Sequence, residues 1–418
     1  MRRILFCPPL YPPSLGGSAA LFSDLAHLWA AGEGRASIVY TTSPDPGLAA
    51  IDPAATSPGF RPLQDGPVPV RRFGLIASGR PRLRGRLLGS ASRWGPMGWR
   101  TATGFPHILV RGYRRFLRRH AQQKDGPFHL VVAGVLPHNH FLEPAVRFAR
   151  RQGLPLLAIP LLHTALLGTR PRDQVLGPCA GRLLRRARRV AAMTPSEVST
   201  LDRLGIPAEK IRVAGAGLQL DPLPGADPCS SPHLDLPAPY LLQAGTLSAD
   251  KGTMTLLAAH ALQIARGRRQ NLVLMGQADR HVLLAVRSLP PAACQRVFLI
   301  HTPGRPEWNA VLAGATALVH PTRADSLGLV ILEAWRAGVP VVVARAGGPA
   351  HLVHHDEDGL MVPPGDPAAL AAALERLEQS PALAARLGSA GRRCFQRHHT
   401  WPVLLPRWMD LFREAMCG

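Results

Sequence analysis

The chain has 418 residues, which is long enough for two domains of about 200 residues each. Its content of 46% hydrophobic and 18% charged residues is typical of a globular protein and excludes an intrinsically disordered one. The formal net charge is +22, and the six cysteines are scattered without paired spacing. The cysteine pattern therefore indicates neither a zinc ribbon nor a disulfide framework.

The first thirty residues predict a strand, a glycine turn and a helix. An apolar strand from Arg3 to Phe6 is followed by Gly16-Gly17 and then by leucines at helical spacing. This order is typical of a nucleotide-binding α/β fold, although one glycine pair is not the dinucleotide fingerprint. Only four apolar residues follow Met1-Arg2-Arg3, too few for the hydrophobic region of a signal peptide. A cytoplasmic location is therefore predicted.

Positive charge is concentrated between Arg61 and Arg119, where 14 arginines stand against a single acid, Asp65. Within this segment, the pattern from Gly112 to Gln122 predicts an amphipathic helix with a basic face. Such a surface attracts anionic lipid or nucleic acid. The alternative is an arginine-rich face that contacts only water, with the apolar side of the helix packed on its own sheet. The segment thus leaves a peripheral location at the inner face of the membrane open.

Two further strands of the first half run toward histidines. A strand from His129 to Val135 is followed by His138 and His140, and a strand from Leu154 to Ile159 is followed by His163. Open parallel sheets bind ligands at the carboxyl ends of their strands, so these histidines are candidates for binding. No carboxylate or cysteine completes a set of metal ligands, and no metal is expected.

The second half repeats the strand-turn-helix pattern. A strand from Ile211 to Ala214 closes the first half, and the proline-rich stretch from Gly215 to Pro239 contains the predicted linker. A new strand, Tyr240 to Gly245, is followed by a turn that contains Thr246 and Lys251. Lys251 is one of only three lysines in an arginine-rich chain, and its compact ammonium group suits a phosphate.

The stretch from Val319 to Pro364 is the richest in candidate residues. An apolar strand leads to Asp325, and a helix is predicted from Ser326 through Ala337, with Ser326 as its N-cap. Glu333 stands eight residues after Asp325, so that both acids would lie on roughly one side and meet one ligand. The backbone N–H groups at the positive end of this helix would bind phosphate, and they belong to Leu327, Gly328 and Leu329. Gly347-Gly348 permits a close backbone approach just beyond the next strand.

This stretch resembles the donor-binding core of the family 4 glycosyltransferases. Their pattern is a glutamate, seven residues, a second glutamate, a helix end and a Gly-Gly turn. The resemblance implies that Glu333 binds the ribose of a nucleotide sugar and that Asp325, which replaces the usual glutamate, contacts hydroxyls of the transferred sugar. The run from Gly359 to Pro367 and the aromatic Trp401 match the family as well.

The resemblance also assigns residues outside this stretch. Lys251 would bind the donor diphosphate, whereas Thr246 stands where the family usually carries a second cation, an arginine. Gly16 and Gly17 would close over the donor phosphates from the other domain, and Gly17 is the expected contact. His163 would bond the donor sugar or phosphate.

The fold that the resemblance implies is GT-B, with two Rossmann-like parallel-sheet domains that face each other across a cleft. The predicted domains are residues 1–225, completed by a carboxyl-terminal helix at 400–418, and residues 240–399, joined by a linker at 226–239. The implied activity is transfer of a sugar, with retention at the anomeric carbon, from a nucleotide-diphosphate sugar to a glycan or lipid-linked acceptor. Neither a metal nor another cofactor is implied.

Two other functions are open on the sequence. The departures Thr246, Asp325 and His351, the last in place of an acid after Gly-Gly, are also what a non-catalytic homologue that binds a nucleotide sugar or a partner enzyme would show. A nucleic-acid binder would explain the charge, but the chain has no recognition helix and no motif of alternating aromatic and basic residues. Nucleic acid is therefore not the expected partner.

Overall fold

The computed structural model describes residues 1–12, 16–42, 61–73, 76–77, 108–109, 117, 125–135, 139–162, 180–220, 236–301 and 304–417. The chain forms two compact units, the first built mainly from Met1–Leu162 and Leu166–Ala214, the second mainly from Gly215–Leu404. Most of the predicted linker at 226–239 lies outside the described residues. The predicted domain boundaries stay a prediction.

The first unit is built on a largely parallel sheet. Its strands are β1 (Arg2–Cys7), β2 (Arg35–Thr42), β3 (Arg61–Asp65), β4 (Val68–Phe73), β5 (Ile76–Ala77), β6 (Ile108–Leu109), β7 (Leu130–Ala133), β8 (Leu156–Ala158), β9 (Arg189–Ala192) and β10 (Ile211–Val213). Eight of them form one sheet in the order β10-β9-β8-β7-β1-β2-β4-β3, in which only the β3–β4 pair is antiparallel. Strands β5 and β6 pair separately. The central strands β1 and β7 are almost wholly buried, as their apolar runs predict for a parallel sheet covered on both faces.

The second unit has a fully parallel sheet of six strands. They are β11 (Tyr240–Ala244), β12 (Asn271–Met275), β13 (Val297–Ile300), β14 (Ala317–His320), β15 (Val341–Ala344) and β16 (Leu360–Val362). Their order, β13-β12-β11-β14-β15-β16, is that of a doubly wound nucleotide-binding fold. The strand order reverses between β11 and β14, and folds of this kind bind their ligands outside the carboxyl ends of the strands at such a reversal.

Helices connect the strands in both units. They are α1 (Gly17–Ala30), α2 (Asn139–Arg151), α3 (Pro195–Arg203), α4 (Thr253–Ala265), α5 (Arg280–Arg287), α6 (Pro291–Cys294), α7 (Arg305–Ala313), α8 (Leu329–Ala337), α9 (Pro349–Leu352), α10 (Pro367–Gln379), α11 (Pro381–His398) and α12 (Trp401–Cys417). Side-chain caps begin several of them, since Asp279 accepts from Val282 N (2.9 Å) and Asp366 accepts from Ala369 N (2.9 Å).

The last helix, α12, returns the chain to the first unit, to which its residues from Leu405 onward belong. There the Phe412 ring packs edge-on against Trp29 and Phe6, with ring centroids 5.5 and 6.3 Å apart. Glu414 forms an ion pair with Arg189 at 2.9 Å. The first unit is therefore completed by the end of the chain.

The arginine-rich segment is described only in part. The amphipathic helix predicted from Gly112 to Gln122 lies outside the described residues, except for Leu117, which is buried. Within the part of the chain that the structure describes, no helix is both long enough and apolar enough to cross a membrane.

Candidate functional site

The loops after β11 and β14 meet at the point where the strand order of the second sheet reverses. Gly252, at the end of the first loop, has φ +76°, and a Cβ atom there would overlap the carbonyl oxygen of Pro321 in the second loop. Arg323 N and Thr322 Oγ1 donate to the carbonyl oxygen of Asp250, at 2.9 and 3.3 Å. Backbone contact thus fixes one loop against the other.

Lys251 and Asp325 form an ion pair between these two loops. Lys251 Nζ lies 2.7 Å from Asp325 Oδ2, and the two side chains are only 20% and 15% exposed. His320 Nε2, at the carboxyl end of β14, lies 3.1 Å from the same oxygen, and Ser326 N donates to Asp325 Oδ1 at 2.9 Å. The carboxylate is therefore held by a cation and a backbone N–H, and by the imidazole when Nε2 carries the proton.

Gly347 and Gly348 pack directly against the backbone of Asp325 and Ser326. Gly348 N donates to the carbonyl oxygen of Asp325 at 2.9 Å. A Cβ atom at Gly347 would stand 2.7 Å from that oxygen, and one at Gly348 would overlap the Ser326 carbonyl group. The close approach predicted for the glycine pair is confirmed, and its target is the loop that carries Asp325.

We expect Gly348→Ala to displace this loop. Its methyl group has no space beside the Ser326 carbonyl, so the variant should lose about 1–3 kcal/mol of stability and shift the Asp325 carboxylate. Thermal unfolding checks the first effect and donor binding the second. Gly304→Ala is the control, because Gly304 has φ −61° and its Cβ would meet only the flexible Glu307 side chain. Equal melting temperatures for the two variants would contradict the prediction.

The helix after Asp325 begins later than the sequence predicts. Helix α8 starts at Leu329, with Gly328 as its N-cap at φ 89° and ψ 63°, so the prediction of Ser326 as N-cap is wrong. The physical reason is that the Asp325 carboxylate captures the Ser326 N–H and Gly348 occupies the space beside the Ser326 backbone. Of the three N–H groups predicted at the helix start, only that of Leu329 belongs to the helix; those of Leu327 and Gly328 lie in the preceding turn.

Glu333 lies in the second turn of α8 and faces helix α7. It is 7% exposed, its Oε2 accepts from Trp308 Nε1 at 3.0 Å, and its Oε1 pairs with Arg305 at 2.8 Å. Glu333 thus bonds to side chains of α7, whereas Asp325 belongs to a separate hydrogen-bonded cluster between the loops after β11 and β14. Each carboxylate oxygen has two lone pairs, so Glu333 retains acceptor capacity for ligand hydroxyl groups.

The other predicted site residues fall into three groups. Thr246 is exposed in the loop after β11. Gly16 caps helix α1 with φ +135°, Gly17 is its first residue, and both belong to the first unit. His163 lies outside the described residues.

The structure adds residues that the sequence analysis missed. His320 carries a detectable signal, because a polar residue at the carboxyl end of a buried strand is a candidate for a site in a parallel sheet. Arg305 and Trp308 carry none, since their contact with Glu333 depends on how two helices pack. Among the described residues, no group of three or more His, Cys, Asp and Glu side chains could hold a metal ion, and the expectation of a metal-free reaction stays a prediction.

Glu197 in the first unit is fully buried, and both of its carboxylate oxygens accept hydrogen bonds from backbone N–H groups. Its Oε1 accepts from Leu162 N and its Oε2 from Met193 N, both at 2.6 Å. Burial raises its pKa to about 7, against the lowering effect of these two hydrogen bonds. The carboxylate thereby holds together the backbone segments that follow strands β8 and β9.

The raised pKa of Glu197 leads us to expect that the stability of the protein depends on pH. A glutamate in the unfolded chain has a pKa of about 4.3. Between that pH and about 7 the folded state therefore binds more protons than the unfolded state. The free energy of unfolding then falls as the pH rises, by up to about 3 kcal/mol. Urea unfolding from pH 4.5 to 8 should therefore show a difference between wild type and Glu197→Gln that changes with pH. Glu209→Gln, on the exposed surface of the same unit, is the control variant. A constant difference for Glu197→Gln would refute the shift.

Comparison with known proteins gives two family matches along the chain. The family described as "Glycosyl transferases group 1" matches residues 231–394, and "Glycosyl transferase 4-like domain" matches residues 11–217. A D-inositol 3-phosphate glycosyltransferase of Saccharomonospora viridis is 30% identical over 330 residues, which cover 72% of this chain and 74% of that protein.

Solved structures resemble the whole chain at lower identity. Sucrose-phosphate synthase from Thermosynechococcus elongatus is 21% identical, with a TM-score of 0.74 and 99% of both chains covered. HepE from Anabaena, in complex with UDP and glucose, is 18% identical, with a TM-score of 0.71 and coverage of 99% of this chain and 100% of that one. At these identities the likeness shows a shared fold.

Proposed function

Because the chain belongs to the group 1 glycosyltransferases and has the GT-B fold, as predicted, we propose that it transfers a sugar from a nucleotide-diphosphate donor to a glycan or lipid-linked acceptor. Glycosyl transfer itself follows from the family and from relatives that are named glycosyltransferases. The donor class, the acceptor and the stereochemistry are the proposal.

The observation that carries the proposal is the Lys251–Asp325 pair between the loops after β11 and β14. When the sugar leaves a nucleotide-diphosphate donor, negative charge grows on the diphosphate, and groups that neutralise it lower the barrier. Lys251 supplies a full positive charge on a loop fixed by backbone contacts, and its own carbonyl accepts from Gln243 Nε2 at 2.9 Å. The amino end of α8, at Leu329, follows Asp325 closely in the chain and supplies partial positive charge.

The remaining residues take the roles that recognition of a nucleotide sugar needs. Asp325 accepts hydrogen bonds from hydroxyls of the transferred sugar, once Lys251 turns toward the phosphates. Glu333 accepts from the ribose hydroxyls with the lone pairs that Arg305 and Trp308 leave. His163 and the Gly16-Gly17 turn supply further contacts to the donor. Transfer proceeds with retention and without a metal ion.

A donor screen tests this function. The purified protein is incubated with UDP-, GDP- and ADP-sugars, starting with UDP-glucose because HepE binds it, and release of the nucleoside diphosphate is measured. We expect one donor class to be consumed when an acceptor is present, and proton NMR to find the donor's anomeric configuration in the product. An inverted configuration would refute retention. Binding of a donor without turnover for any acceptor would favour the non-catalytic homologue, which the similarity to named enzymes does not favour.

An acceptor carried on a lipid would account for the charge between Arg61 and Arg119. An arginine near an anionic bilayer surface contributes up to about 1 kcal/mol to binding. Neutralising Arg114, Arg115, Arg118 and Arg119 together should therefore weaken sedimentation with vesicles that contain phosphatidylserine. Neutralising four arginines of the second unit (Arg280, Arg287, Arg393 and Arg397) is the control. If the wild type fails to sediment with the vesicles at low salt, the lipid surface is excluded.

A further inference from the structure

A pocket of about 310 Å³ lies within the second unit, between helices α7, α8 and α11. Each helix contributes one face to its wall, and Leu220 completes it. The wall combines polar and apolar side chains, which is the composition of a site for a small polar ligand. Of the residues in its wall, Glu333 alone has a role in the function proposed above.

The pocket shares Glu333 with the proposed donor site and otherwise extends away from it. Helices α7 and α8 begin at the carboxyl edge of the parallel sheet, where Lys251 and Asp325 lie, and run away from it. Arg336 is seven residues beyond the start of α8, or about 10 Å along the helix axis at 1.5 Å per residue. Glu333 lines the end of the pocket nearer to the donor site, and the space extends from there toward the carboxyl ends of the two helices.

Asn309 is the residue that points to a ligand. It lines the pocket and is only 5% exposed, and neither its Oδ1 nor its Nδ2 has a hydrogen-bond partner among the described residues. A buried carboxamide without partners is unfavourable, and buried polar groups in folded proteins are almost always paired. The wall therefore contains a buried, unpaired donor and acceptor side by side, and a ligand pairs with them once the Asn309 side chain turns into the pocket.

Two arginines give the pocket a positive charge. Arg392 is exposed on α11 and forms no ion pair with a described residue, and Arg336 lies on α8, with its NH1 3.5 Å from the Gln219 carbonyl oxygen. The one acid in the wall, Glu333, is already paired with Arg305. Guanidinium groups are suited to phosphate oxygens because they donate two parallel hydrogen bonds.

We propose that this pocket binds a small phosphate ester that carries hydroxyl groups. The phosphate lies against Arg392 and Arg336, a hydroxyl group pairs with the Asn309 carboxamide as both donor and acceptor, and the carbon skeleton packs on Leu312 and Phe395. A purely apolar ligand would leave Asn309 unpaired, and a bare anion would leave its Nδ2 and Oδ1 without the donor and acceptor pair that a hydroxyl supplies.

Glycerol 3-phosphate is the probe, and isothermal titration calorimetry measures its binding to the full chain. The Asn309→Leu and Arg392→Ala variants should each bind it about tenfold more weakly or worse, because each removes one of the paired groups. Arg393→Ala is the matched control, since Arg393 is the exposed neighbour of Arg392 on α11 and is not part of the pocket wall. Glycerol and inorganic phosphate, tested separately, should each bind more weakly than the ester.

Two outcomes would overturn the assignment. One is equal affinity of the wild type and Asn309→Leu, or no binding by the wild type up to about 10 mM probe, a concentration that would detect a weak metabolite site. The other is loss of binding in Lys251→Ala or upon saturation with UDP, which would place the probe in the donor site. Unchanged binding in Lys251→Ala supports the separate pocket, whether or not the donor proposal holds.

Discussion

Lys251→Ala is expected to reduce sugar transfer by about 10²–10³-fold while the second unit remains folded. The side chain is 20% exposed and lies at the end of a loop whose backbone is held by Arg323, Thr322 and Gln243, none of which bonds to the lysine side chain. The loss should therefore appear in turnover and hardly in the melting temperature. Since Thr246 stands where the family typically carries a second cation, we expect the reaction to depend on Lys251 more than it would if an arginine stood there.

The control for this variant is Lys210→Ala. Lys210 lies in the first unit, where its Nζ donates to the Arg185 carbonyl oxygen at 2.7 Å, and its loss should leave transfer unchanged. Thr246→Arg is the complementary variant, because Thr246 is exposed and a guanidinium at this loop should tighten binding of the donor diphosphate. Wild-type turnover by Lys251→Ala in a donor-consumption assay would remove the lysine from the reaction and favour a binding protein.

The central strands of the second unit were predictable because they are buried on both faces. Strands β11, β12 and β15 are buried along their whole length, and apolar residues predominate in each of them. Their parallel direction follows from the strand-helix alternation that the sequence shows.

The start of α8 was not predictable in the same way. Ser326 is a good N-cap residue by type. The position at which α8 begins is set by the Asp325 side chain and by Gly348. Gly348 lies 22 positions after Ser326 in the chain, and its backbone fills the space next to Ser326. A helix boundary that depends on such a contact can be found only in the folded chain.

The residues of the candidate site were likewise predictable from the sequence, but their pairing was not. Lys251 and Asp325 were both recognised as candidates, yet they are 74 residues apart in the chain, and only the reversal of strand order between β11 and β14 brings their loops together. The pairing of Glu333 with Arg305 and Trp308 follows from the packing of α7 on α8, for which the sequence has no periodic signal.

Glu333→Gln is expected to weaken binding of the donor nucleotide by an amount on the order of 1.5–3 kcal/mol, since a charged acceptor of ribose hydroxyls becomes a neutral one. The measurement is calorimetry with the nucleoside diphosphate that the donor screen identifies. The substitution also removes the partner of Arg305, so the loss of an ion pair within the fold must be separated from the loss of a ligand contact. Arg305 is 40% exposed and can turn to water, which limits the cost of breaking that pair.

Arg305→Ala separates the two effects. It breaks the same ion pair but leaves the Glu333 carboxylate in place, still held by Trp308 Nε1 at 3.0 Å. If Glu333 binds ribose, Arg305→Ala should weaken nucleotide binding less than Glu333→Gln does, because the charged acceptor remains. If Glu333 serves only to join α7 to α8, the two variants should have the same melting temperature and the same nucleotide affinity. Equal affinities for Glu333→Gln and the wild type would exclude Glu333 from the donor site altogether.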